Sequence, residues 1–121
     1  MTASSLPAAL RAAAEGLYAL EAAAGLIIAH GTWLARDDFA CFIHHGTGTA
    51  AIDWEAAIVA LDAGELPSSG GEKRMLRLAA SLAGQATVGL AEAITGIDDR
   101  NVGLLVKAVL HASGHRQFPS H

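Results

Sequence analysis

Glycine stands at positions 31, 64, 84, 96 and 114, each time after a stretch whose apolar residues recur at helical spacing, and this punctuation constrains the fold more than any other feature. Helices commonly end on a left-handed residue, which glycine adopts at little steric cost, so the pattern describes helices separated by short turns. The first helix is predicted over residues 7–30 and is the longest. Ser5 is its cap, and Leu10, Ala13, Leu17, Leu20, Ala24 and Ile27 form a seven-residue seam. A short helix is expected from Asp37 or Asp38, carrying Phe39, Phe42 and Ile43 and giving out in the HHGTGT segment at 44–49.

Asp53 caps a helix predicted over residues 54–63, with Trp54, Ile58 and Leu61 on one face. Ser69 and Glu72 fit a capping box for a helix ending at Ala83, with Met75, Leu78, Ala79 and Leu82 inward. A short helix is predicted over 90–95. Asp98 caps the last, in which Val102, Leu105, Val106 and Val109 repeat at helical spacing, and residues 115–121 are expected to fray. The fold class is all-α: a compact bundle of five or six helices in a single domain over 1–121.

Alanine supplies 27 of the 121 residues, so the core must be built from small side chains and close helix approaches. The net charge of −4 lies wholly in residues 1–60, with none in 61–121, and such a balance gives no basic face for broad nucleic-acid binding. Runs without Asp, Glu, Lys or Arg reach only 14 residues, at 22–35, 39–52 and 78–91, short of a bilayer span of roughly 20. Arg11 and Glu15 interrupt any signal-peptide core, so a cytoplasmic protein is expected. Cys41 is the only cysteine, which excludes an internal disulfide or a cysteine-based zinc site, and it reads as a small buried hydrophobe.

The segments DWEAAIVALDAGELPSSGGEKRMLRLAASLA, LAEAITGIDDRN and AVLHASG resemble small uncharacterised all-helical proteins of high-GC bacteria. That resemblance implies a helical fold and no activity.

Residues 90–110 are similar to a helix-turn-helix, with Gly96 in the turn and Arg100, Asn101 and Lys107 as DNA-facing candidates. Asp98 and Asp99 lead the would-be recognition helix and oppose phosphates, so nucleic acid is not the expected partner. Lys73, Arg74 and Arg77 align at spacings of three and four, where cations oppose the helix dipole. They are the candidates for docking an acidic protein partner, with salt bridges to Asp62, Glu65 or Asp98 as the structural alternative.

His30, His44, His45, His111 and His115, with Asp37 and Asp38, are the candidate metal ligands, but Gly114 interrupts the His111–His115 spacing and no metal or cofactor is expected. Ser113 in HASGH lacks the glycines and the preceding strand of a nucleophile elbow, and no enzyme is expected. The first helix is apolar over more than one face, which points to a homodimer with Leu10, Leu17, Tyr18 and Ile28 at its interface. The reading is a self-associating protein-interaction or assembly module. A DNA-binding accessory protein is the alternative, and a small-molecule or metal-binding helical protein comes third.

Overall fold

The computed structural model describes residues 5–115. The chain runs α1 (Leu6–Ala14), α2 (Tyr18–His30), two short 3-10 turns at Trp33–Ala35 and Asp37–Phe42, β1 (Ile43–His45), β2 (Ala50–Ile52), α3 (Trp54–Asp62), α4 (Gly70–Leu82), α5 (Leu90–Ile94) and α6 (Asp99–Ala112). The fold is mainly helical, as the punctuation requires, with a small sheet that was not expected.

The helix predicted over 7–30 is two helices. Glu15 leaves the helical region, Gly16 takes φ +92°, and Leu17 enters α2 from extended backbone. The Glu21 carboxylate secures the break by accepting the Gly16 N–H at 2.9 Å. At 14 residues α6 is therefore the longest helix among those described. The sequence shows no sign of the break, because Gly16 sits inside an uninterrupted apolar seam while Gly25, in the same seam, remains helical.

α2 is the axis of the molecule, in contact with α1, α4 and α6. Ala22, Ala23, Ala24, Leu26 and Ile27 are all buried along it, which is what a helix apolar nearly all round demands. Its own chain covers part of the apolar surface that the sequence assigned to a second subunit. Leu10 in particular lies in the core, 4% exposed, which removes it from the surface, while Ile28 is half-buried and packs against that core.

Among the described residues, thirteen of the 25 buried apolar side chains are alanine, and the small residues bring the helices close. Bulk comes from Trp33 and Phe39, both fully buried, with ring centroids 5.5 Å apart. The Trp33 indole N–H donates to the Glu72 carbonyl at 3.0 Å, and the Arg36 guanidinium lies over its ring at 4.6 Å while pairing with Asp38. The expected short helix at Asp37 is this 3-10 turn, which delivers Phe39 inward. Ile43 then starts a strand: β1 and β2 pair antiparallel, with Ile43 opposite Ile52, and Gly46 and Thr49 close the turn. Cys41 is exposed, against the expectation of burial.

The remaining caps match their sequence signatures. Asp53 accepts the Ala56 N–H, Ser69 and Glu72 form the reciprocal box, and Asp98 accepts the Asn101 N–H at 2.8 Å. No described helix is long and apolar enough to cross a membrane. Of the tail expected to fray, 116–121 lies outside the described residues; the His115 N–H donates to the Leu110 carbonyl at 2.7 Å.

Candidate functional site

α6 organises the functional surface because its apolar residues point in two directions. It packs on α2 through Asn101 and Ala108, both buried, with Leu104, Leu105 and Ala112 at the edge of the core. The four residues that repeat at helical spacing, Val102, Leu105, Val106 and Val109, do not form one buried face: Leu105 packs against the core. Val102 and Val109 stand on the outside, 42% and 50% exposed. One side of α6 closes the fold, and the other is a bare stripe at helical spacing.

Two contacts give the register of α6 on α2. His111 Nε2 lies 2.8 Å from Glu21 Oε1, and Arg100 donates to the Ala29 carbonyl at 2.9 Å, so the helices run antiparallel. α1 lies along another flank of α2, where Arg11 Nη1 stands 4.0 Å from the place a Cβ on Gly25 would occupy. Between the two flanking helices a groove of about 870 Å³ opens over α2. Its floor is Ala22, Gly25, Leu26 and Ala29, and its walls include Ala8, Ala12, Leu104 and Ala108. Arg11 and Lys107 look into it from opposite walls.

The end of the groove nearest the Gly16 break is polar. Glu21 is held below the usual carboxylate range, first by the Gly16 N–H and then by the His111 ring. Tyr18 meets His111 edge to face at 5.9 Å. Ser113 Oγ lies 3.0 Å from both the Val109 and Leu110 carbonyls and 3.1 Å from His115 Nδ1, so it serves the end of α6. The serine and the carboxylate-bound histidine are thus in separate pairs. Among the described residues no group of three or more His, Cys, Asp or Glu side chains is assembled to hold a metal ion.

At the opposite end, His30 and Asn101 meet the α2–α6 junction as buried polar residues, and His30 Nδ1 and Asn101 Oδ1 have no hydrogen-bond partner. Burial pushes the His30 imidazole below its ordinary pKa, and the positive Arg100 adds to that.

This placement bears on the DNA-facing candidates Arg100, Asn101 and Lys107. Arg100 is exposed but donates to the Ala29 carbonyl at the end of α2, and Asn101 is buried at 7% exposure, so Asn101 is withdrawn from the surface that a recognition helix would offer to DNA. Lys107 is exposed but belongs to the α1–α2–α6 groove.

Within the basic cluster on α4, one member has a carboxylate partner among the described residues. Arg77 pairs with Asp62 of α3, as the structural alternative foresaw. The Arg74 guanidinium lies 3.1 Å from the Cβ position of Gly70 and 3.9 Å from that of Gly96, while Lys73 is exposed with no carboxylate partner among the described residues. Of the four interface candidates on the first predicted helix, Leu17 and Tyr18, each 59% exposed at the break, remain on the surface. Sequence reasoning missed the groove altogether. Its residues come from separated segments with no shared motif, and only the Gly25 interruption of an alanine run marks it.

Comparison with protein-family models, curated proteins and solved structures finds no match to this chain.

Proposed function

We propose that this chain is a protein-interaction module that self-associates through the outer face of α6. The observation that carries the reading is the uncovered stripe: Val102 and Val109 are solvent-facing at helical spacing, on a helix whose other face already serves the core. Leu90 and Ile94 on α5, 64% and 41% exposed, bring to four the large exposed apolar residues on these two consecutive helices. Exposed apolar side chains aligned on one helix face, as Val102 and Val109 are, mark interaction surfaces more often than scattered ones do. A twofold pairing of identical stripes is the simplest way to cover them.

Light scattering after size exclusion tests the reading. At micromolar concentration the expected mass is twice 12.4 kDa. Val102→Glu with Val109→Glu, both at exposed positions, should return the monomer mass while leaving the far-ultraviolet circular dichroism unchanged. A wild-type monomer throughout the concentration range, or a dimer that survives both substitutions, would overturn it.

A further inference from the structure

We propose that the groove between α1, α2 and α6 binds an amphipathic monocarboxylate, a single carboxylate on an apolar chain or ring, with Arg11 and Lys107 holding the head and the groove floor receiving the body. This goes beyond self-association and does not depend on it. The volume, about 870 Å³, falls within the roughly 300–1,000 Å³ of small-molecule sites.

The charges select the head group. His111 opposite Glu21 and Arg100 opposite Ala29 place Lys107, by interpolation along antiparallel helices, near the level of Gly25. Arg11 reaches the same glycine from the other wall. Two cations therefore converge on one level of the groove, and neither has a carboxylate partner among the described residues. Like charges brought together without a counterion favour an anion between them, and a guanidinium suits a carboxylate because its fork can donate two parallel hydrogen bonds.

The lining fixes the orientation of the body. Toward the Gly16 break stand Glu15 and Glu21, and although Glu21 is engaged by Gly16 and His111, both carboxylates disfavour an anion at that end. In the other direction the groove is lined by Ala8, Leu26, Ala29 and Leu104, all apolar. A ligand with its head at Arg11 and Lys107 extends its apolar part that way.

Gly25 points to the same level independently. It follows three alanines in a helix interior, where glycine is disfavoured relative to alanine because it loses more backbone freedom. Packing does not demand it, because a Cβ there would meet only Arg11 Nη1 at 4.0 Å, an ordinary contact. The missing methyl leaves the floor open directly beneath the guanidinium.

The test is a titration of the full chain, followed by amide chemical shifts, with decanoate below its micelle concentration, and in parallel with decan-1-ol and decyltrimethylammonium. Decanoate should give saturable shifts at Ala22, Gly25, Ala29 and Ala108 and bind at least about tenfold more tightly than the other two. Arg11→Ala with Lys107→Ala should remove that preference while leaving residual binding of the apolar body. Gly25→Leu should abolish binding, with Ala29→Leu as a second obstruction if that variant does not fold. The Val102→Glu, Val109→Glu protein should bind decanoate unchanged, which separates this proposal from self-association. Equal affinity for the three amphiphiles, shifts lying outside the groove, no shifts at all, or decanoate binding that ignores loss of both cations would each overturn it. So would groove amides that respond to protein concentration and not to decanoate, because a second copy would then be the occupant.

Discussion

α4 and α6 are nearly equal in length, 13 and 14 residues, each has a side-chain cap, and both pack on α2. They differ in how many neighbours they have. α4 also receives α3 and α5 and buries Met75, Leu76, Leu78, Ala79 and Ala80, whereas α6 rests chiefly on α2 and buries Asn101 and Ala108. Periodicity shows that a helix has an apolar face; the number of elements that arrive to cover it is a tertiary fact. On α4 the supply of apolar residues is consumed by the fold. On α6 it exceeds what the fold uses, and the excess forms the outward stripe.

The largest expected effect breaks this comparison at its centre. Leu76, with no exposed surface, should cost about 2–5 kcal/mol when replaced by alanine, since the close-packed surroundings relax only partly into the cavity. Val109→Ala should change stability by no more than about 0.5 kcal/mol in dilute protein. Urea unfolding of both variants measures the contrast. If the loss at Val109 grows with protein concentration while that at Leu76 does not, the stripe is being covered by a second molecule.

The junction that joins α6 to α2 gives a pH-dependent effect. Buried His30 resists protonation, and Arg100, Glu72 and Asp98 are the charged groups acting on it. At a pH above the ordinary histidine value of 6.5 both folded and unfolded chains carry it neutral, and stability is intact. As pH falls below that value the unfolded chain takes up a proton that the fold disfavours, so stability declines until the depressed folded pKa is passed. Glu21, Asp38 and Glu72, whose pKa values are also lowered, contribute their own losses at more acidic pH, below the ordinary carboxylate range. Melting between about pH 7 and pH 5 therefore isolates the histidine region. The melting temperature should fall across that window in the wild type and fall less in His30→Gln. An identical fall in both would remove His30 from the account.

Local chemistry was legible in the sequence, and neighbourhood was not. The caps at Asp53, Ser69–Glu72 and Asp98 were readable because each bond spans three residues. The Gly16 break was hidden because Gly16 and Gly25 look alike in an apolar seam, and what separates them is the Glu21 bond to one and the flanking helices around the other. The hairpin was hidden because three-residue strands are too short to display alternation. The phase of α6 could not be read from a helix carrying Val102, Leu104, Leu105, Val106, Val109 and Leu110, where apolar residues lie all round. The buried end of that helix is marked by a polar residue, Asn101, which pattern reading places outside.

The smallest expected effect concerns the basic side of α4 and sharpens the same contrast. Arg77 and Asp62 pair across α4 and α3 with side chains 36% and 58% exposed. At that exposure water and salt screen the attraction, and two flexible side chains lose freedom to make it, so a double-mutant cycle of Arg77→Ala and Asp62→Ala should give a coupling of about 0–1 kcal/mol. The coupling should shrink further in molar salt, where the screening length drops to about 3 Å. A coupling that is larger and insensitive to salt would mean that the pair is shielded from water in solution. Because the chain alone leaves it exposed, that shielding would have to come from another molecule, and α4 would then present an interface of its own beside the one carried by α6.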